Sequence, residues 1–253
     1  MKFDELDARL RVFETAHDHC ALPGLYLVVR LDGRGFTRLT KEVHAFEAPF
    51  DERMRDLMVH TTRQLLSSGF RMVYGYTQSD EISLLLHPEE NSFGRKLRKY
   101  TSLLAGEASA TFSLALGSPG IFDCRISQLP RRTDVLDYFR WRQEDAARNS
   151  LNAHCYWLLR KQGRSVAEAT AQVKGRSRAA KHDLLFSAGI NFNELPSWQK
   201  RGVGLYWQPY KKTGFNPLSQ QPVETTRQQL TIDAELPLGE EYTTLLRSLL
   251  PEE

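Results

Sequence analysis

Two short segments carry the residue types best suited to chemistry. Asp32 opens the run Asp32-Gly33-Arg34-Gly35-Phe36-Thr37, and a second pair of acids follows in Gln78-Ser79-Asp80-Glu81. Hard divalent cations such as Mg2+ take carboxylate, carbonyl and water oxygens, with one or two protein carboxylates commonly supplemented by substrate phosphates. Asp32 and Asp80 meet that requirement. Two ions held between them could activate an attacking hydroxyl and neutralise a leaving pyrophosphate in an in-line displacement. Gly33 and Gly35 let the backbone turn closely around an oxygen-rich ligand, the amides there can form an anion-binding nest, and Arg34 adds a fork of donors. Each segment alone also suits an ordinary strand-ending turn, and Glu81 equally suits a solvent-facing strand start. The chemistry therefore depends on whether the fold brings the two segments together.

The elements that must do this are readable from the pattern. A helical stretch with Phe3, Leu6, Leu10 and Phe13 on one face ends before Pro23-Gly24, and the apolar run 25–31 reads as a strand stopped by Asp32-Gly33. A helix from about Phe50 to Gly69 follows, then a hairpin with strands at 70–76 and 81–87 and a turn at 77–80. A helix over 94–116 and a strand at 121–129 come next. The order is βαββαβ, an α+β ferredoxin-like palm. A right-handed crossover makes its first two strands parallel, so with the third strand between them Asp32 and the Asp80/Glu81 pair become neighbours at one end of one sheet. Residues 1–130 are expected to form this palm with its N-terminal helix. Residues 131–253 should add helices and a small C-terminal β/α extension in one integrated unit: two helices over 134–161, one at 166–173, late strands near 202–207 and 228–236, and a terminal helix at 242–250. Residues 213–227 read as a surface excursion or mobile arm.

Composition sets the class. The chain has 253 residues, 41% hydrophobic and 26% charged, and the 34 Lys and Arg exceed the 31 Asp and Glu by only three. With a mean hydropathy of -0.46, this is the composition of a soluble globular protein. Cys20, Cys124 and Cys155 are scattered and odd in number, which points to a reducing compartment. The longest charge-free stretch, 108–122, is too short to span a bilayer, and the acidic N-terminus is unlike a targeting peptide, so a cytoplasmic location with no membrane partner is expected.

Basic residues gather in three places. Arg95, Lys96, Arg98 and Lys99 open a helix whose amino end favours anions, and suit either a triphosphate or a solvated basic face. Arg131, Arg132, Arg140, Arg142 and Arg148 are interleaved with Tyr138, Phe139 and Trp141, aromatics expected in the core. Lys174, Arg176, Arg178 and Lys181 form an acid-free run suited to a phosphate backbone. His154 and Cys155 are adjacent and unsuited to ligating one ion, and read as structural. The phosphate-loop signature and the nucleophile-elbow motif are both absent from the sequence.

The segments VVRLDGRGF, YGYTQSDEISLLL, FDCRI, DYFRWRQEDAARN and FNELPSWQKRGVGLYW resemble, in order, the motifs of the tRNA(His) guanylyltransferase family. The resemblance implies a polymerase-palm-like fold, Mg2+ dependence with two ions, and nucleotide addition in the 3′–5′ direction at the 5′ end of tRNA. It also implies activation of that end by ATP or GTP. By the same resemblance Asp32 and Asp80 are catalytic, and Glu81, read from the residues beside Asp80, is counted with them as a catalytic candidate. The metal ligands become the Asp32 and Asp80 side chains and the Gly33 carbonyl. Nucleotide binding falls to Asp32, Gly33, Arg34, Gly35, Phe36, Thr37, Ser79 and Asp80, and triphosphate contacts to Arg95, Lys96 and Lys99. The partners implied are tRNA, nucleoside triphosphates and further copies of the chain in a homotetramer, with tRNA and the other subunits held by residues 131–253.

Three positions depart from the family pattern: Ala147 and Thr37 stand where histidines are expected, and Ala48 where a lysine is expected. They point to the family's guanylyltransferase-like branch, in which 5′-truncated tRNAs are repaired with the opposite acceptor strand as template. Addition of a guanosine at position −1 of tRNA(His) is the alternative within the family. A palm-type nucleotide cyclase and a non-catalytic tRNA-binding module are the alternatives outside it.

Overall fold

The computed structural model describes residues 2–216 and 220–251. Helix α1 (Phe3–Thr15) precedes strand β1 (Tyr26–Gly33). Gly35, in the left-handed region at φ +73°, turns the chain into the short helix α2 (Phe36–Arg38), which runs into a π-helical turn at Leu39–Val43. Helix α3 (Glu52–Leu66) starts at Asp51, whose carboxylate accepts from the Arg53 amide. Strands β2 (Met72–Gln78) and β3 (Glu81–Leu86), helix α4 (Leu97–Leu116) and strand β4 (Phe122–Leu129) complete the expected order. The second half contains α5 (Arg132–Lys161), α6 (Val166–Val173), α7 (Arg178–Phe186), α8 (Ser197–Arg201), β5 (Val203–Asn216), β6 (Gln221–Asp233) and α9 (Gly239–Leu249).

Among the described residues the strands form one sheet in the order β4-β1-β3-β2-β5-β6. β3 is antiparallel to both β1 and β2, so β1 and β2 run parallel with β3 between them, as the motif requires. Strand alternation separates two cores. Val29, Leu31, Ile82, Leu84 and Leu86 pack with α3 and α4 on one face; Val28, Leu85, Tyr74 and Tyr76 pack with α5 and α9 on the other. A third cluster joins Leu151, Cys155 and Leu159 of α5 to α6 and α7.

Three expectations are corrected. Residues 132–161 form one continuous helix, not two. No Pro or Gly interrupts it, and its apolar stripe changes face midway because its first half covers the sheet while its second half packs on α6 and α7. The turn expected at 77–80 is only Ser79-Asp80, since Thr77 and Gln78 still pair with β3. Residues 213–227 are not a loop: β5 and β6 pair continuously from Gly204↔Asp233 to Asn216↔Gln221, and residues 217–219 lie outside the described residues. Beyond its buried base at Leu205 and Tyr206 this ladder is mostly exposed on both sides and lacks the apolar alternation that marks a strand in sequence.

The Tyr74 and Tyr242 hydroxyls bond each other at 3.0 Å in the second core, and this pair ties α9 to the sheet centre. Changing either tyrosine to Phe strands one buried hydroxyl and is expected to cost about 1–3 kcal/mol, whereas the double change costs less than the sum of the two. Urea denaturation of the three variants measures this.

Candidate active site

β1 ends beside the two-residue turn that joins β2 to β3. Asp32 pairs in register with Glu81, and the Gly33 amide donates to the Asp80 carbonyl at 3.0 Å. The turn is held from outside the sheet. Gln78 accepts from the Ser79 amide through Oε1 at 3.1 Å and donates through Nε2 to the Gln199 carbonyl of α8 at 3.0 Å. Ser79 adopts φ +55°, and its hydroxyl donates to Asp80 Oδ1 at 3.1 Å. Burial pushes the Asp80 carboxyl up to about 6 against the pull of the Ser79 hydrogen bond, and the Asp32 and Glu81 charges add to the rise. A half-buried acid with two acidic neighbours is what a bound cation would relieve, so the donor set fits a hard divalent ion.

Gly33 and Phe36 interlock next to it. A Cβ on Gly33 would lie 2.6 Å from Phe36 Cγ, and Phe36 is buried against Phe112 and Phe122 with ring centroids 4.9 and 5.0 Å away. Phe36 thus supports the loop from beneath. The Arg34 amide donates to the Ile121 carbonyl at 2.8 Å, while the Arg34, Gly35 and Thr37 positions are exposed.

A cleft of about 690 Å³ opens beside Asp80. Thr37, Ser79 and Asp80 form its polar end, and Phe46, Phe50 and Trp198 form part of an aromatic wall. The size is that of a small-ligand site. These aromatics come from separate segments and were not legible as a group; the tryptophan of the FNELPSW segment was the one visible hint.

Glu81 differs from expectation. Its oxygens are taken by two guanidinium groups: Arg30 bonds Oε1, and Arg142 donates to Oε2 at 2.6 Å. Arg30 also donates to Asp32 Oδ2 at 3.2 Å. Glu81 therefore bridges two arginines rather than standing free beside Asp80. Arg30 could have been found from sequence, since it precedes Asp32 by one strand repeat on the same face.

The first basic group is not at this site. Arg95 donates to the carbonyls of Leu25 and Pro88, and Lys96 and Arg98 pair with Asp18. These partners lie at the start of β1, the opposite end of the strand from Asp32. Lys99 Nζ stacks over Phe93 in the same region, so within one chain Arg95, Lys96 and Lys99 do not meet Asp80. Arg131 pairs with Asp134, and Arg132 bonds the Arg247 and Leu250 carbonyls, fixing the C-terminal helix. Tyr138 and Phe139 are buried as expected, but Trp141 is 54% exposed. Trp141 lines a second cleft of about 790 Å³ with Arg140, Arg148, Arg178, Lys181 and Ala147.

The family model described as tRNAHis guanylyltransferase matches residues 7–130, and the model described as Thg1 C terminal domain matches residues 133–237. The chain is 35% identical over 191 residues to the tRNA(His) guanylyltransferase of Schizosaccharomyces pombe, an alignment covering 72% of this chain and 73% of that protein. Its fold is similar to that of a bacterial tRNA(His) guanylyltransferase-like protein in complex with GTP, at a TM-score of 0.76 and 26% identity over 97% of this chain and 99% of the other. It is also similar to the tRNA(His) guanylyltransferase of Saccharomyces cerevisiae, at a TM-score of 0.72 and 27% identity over 81% and 93%.

Two outcomes are expected from this geometry. Gly33→Ala forces a methyl group into Phe36 and should cost about 1–3 kcal/mol, measurable by urea denaturation. His154, whose Nε2 bonds Gln199 Oε1 at 3.1 Å, is lowered by burial from 6.5 to about 4. The unfolded chain takes up this proton at higher pH than the fold does, so stability is lost as pH falls from 6.5 towards 4 and is insensitive to this group above 6.5. His154→Gln should lose less Tm than the parent between pH 7.5 and 4.5 by calorimetry.

Proposed function

The chain belongs to the tRNAHis guanylyltransferase family and is a nucleotidyltransferase of the tRNA 5′ end; we propose that it repairs 5′-truncated tRNAs by Mg2+-dependent, templated addition in the 3′–5′ direction. The observation that carries this reading is the junction of Asp32 and Asp80 through the Gly33–Asp80 hydrogen bond, beside a cleft of nucleotide size. The GTP complex of the bacterial relative supports a nucleoside triphosphate as substrate.

Asp32, Asp80 and the Gly33 carbonyl are the groups that would hold Mg2+. When bound, Mg2+ polarises phosphate oxygens and balances the charge of the leaving pyrophosphate. The chain's own residues do the rest. Thr37 and Ser79 border the cleft next to Asp80 and orient the sugar and phosphates, while the half-buried Phe50, backed by Phe46 and Trp198, makes the cleft's aromatic wall one that takes a base irrespective of its identity. Base-tolerant stacking suits templated addition, in which pairing to the opposite acceptor strand selects the nucleotide. The second cleft, lined by Trp141, Arg140, Arg148, Arg178 and Lys181 together with the acids Glu144 and Asp145, offers the RNA a mainly cationic and stacking surface. Ala147 lines this cleft where the family's histidine is expected, which favours repair over −1 guanosine addition.

Incubation with Mg2+, ATP, labelled triphosphates and a tRNA lacking its first nucleotide should retain label at the RNA 5′ end. Label added only to full-length tRNA(His) would instead support −1 addition, and cyclic nucleotide formed without RNA would support a cyclase. Asp80→Ala is expected to reduce addition by roughly 10³-fold or more. Its tRNA affinity, measured by filter binding, should stay within about threefold, because phosphate contacts elsewhere dominate RNA binding.

A further inference from the structure

Arg142 touches neither the cleft beside Asp80 nor the proposed metal ligands, yet it is buried and joined to Asp32 through other side chains. Strand alternation turns Arg30 and Asp32 of β1 and Glu81 of β3 towards the α5 face of the sheet. Arg142, on α5 with a side chain only 6% exposed, donates to Glu81 Oε2 at 2.6 Å and to Asp145 Oδ2 at 3.1 Å. Arg30 bonds the other Glu81 oxygen and, at 3.2 Å, Asp32 Oδ2. The result is an unbroken charge-assisted chain, Asp145–Arg142–Glu81–Arg30–Asp32, running from the helix of the second half to the end of β1.

We propose that Arg142 is a positioning residue for the cation site: with Arg30 it holds Glu81 out of cation coordination and thereby sets the Asp32 carboxylate. The physical ground is competition. Glu81 follows Asp80 directly and pairs in register with Asp32, so without Arg142 its second oxygen is a half-buried, uncompensated charge. That charge is relieved in one of two ways: Arg30 is drawn wholly to Glu81 and leaves Asp32, or Glu81 swings towards the cation. Either way the two-carboxylate geometry is lost. A lysine ammonium could donate to both carboxylates but has no planar group to lie over Trp141, as the Arg142 guanidinium does at 4.7 Å. The proposal rests on the metal assignment of the preceding section and makes Glu81 a member of the supporting chain rather than a ligand.

The test is Mn2+ binding by the full chain with a non-hydrolysable GTP analogue, followed by calorimetry and by the electron paramagnetic resonance signal of free Mn2+. Arg142→Met is expected to raise the half-saturating Mn2+ about 10–100-fold, the range for groups that orient metal ligands, with the Kd of the GTP analogue at saturating Mn2+ changed less than about threefold. Adding Glu81→Gln to Arg142→Met removes the stray carboxylate and should restore Mn2+ binding to within about threefold of the parent. Glu81→Gln alone should also stay within about threefold, while Asp80→Asn loses binding. Loss of Mn2+ by Glu81→Gln comparable to that of Asp80→Asn would overturn the proposal, and this holds even where Arg142→Met fails to fold. So would a folded Arg142→Met with parental Mn2+ affinity, or a double variant without recovery. Because the readout needs no RNA, a parent chain that binds Mn2+ but adds no nucleotide refutes the repair reading alone.

Discussion

The antiparallel pairing of β1 with β3, closed by the Gly33–Asp80 hydrogen bond, is the constraint on which the rest depends. It places three acidic residues at one end of one sheet, where burial, with the neighbouring Asp32 and Glu81 charges adding to it, lifts the Asp80 carboxyl to about 6. The sheet supplies what holds them there. Val28, Val29 and Leu31 leave no exposed face on β1, so a register slip would bury charge and expose core. The repulsion is then answered by guanidinium groups on one side and, in the proposed function, by divalent cations on the other.

The second half of the chain is part of this site rather than an appendage. α5 covers the sheet with its first half and carries a separate core with its second. Its Arg142 reaches Glu81, and its Trp157 and Tyr156 line the cleft beside Asp80. α8 holds the Ser79-Asp80 turn through Gln199 and Gln78. Arg142 is buried and Glu81 about a quarter exposed, so breaking their pair by removing one partner costs less than the roughly 3–5 kcal/mol of a fully buried pair. The two halves are thus coupled where the chemistry is proposed to occur.

Much of this was legible beforehand. An apolar run stopped by Asp-Gly marks β1, and the handedness of βαβ units places the hairpin turn beside it without any knowledge of side-chain contacts. What was not legible follows from how polar groups are used. Arg95 and Lys96 have the composition of phosphate ligands, but the fold uses them to bond carbonyls and Asp18 at the far end of β1. Arg142 meets Glu81 across 61 positions, and a charge carries no periodicity that names its partner. The β5–β6 ladder was legible only at its base, near 202–207 and 228–236, where Val203, Leu205 and Tyr206 are buried; its outer part is mostly exposed on both faces and carries no period-two signal.

The most direct test is anomalous diffraction from crystals of the chain soaked with Mn2+ and a non-hydrolysable nucleoside triphosphate. The account predicts a Mn2+ peak bound by the Asp32 and Asp80 carboxylates and the Gly33 carbonyl, with the nucleotide in the cleft bordered by Thr37 and Ser79 and Glu81 still on its arginines. A Mn2+ peak liganded by Glu81, or a triphosphate seated beside Arg95 and Lys96 at the other end of β1, would contradict it.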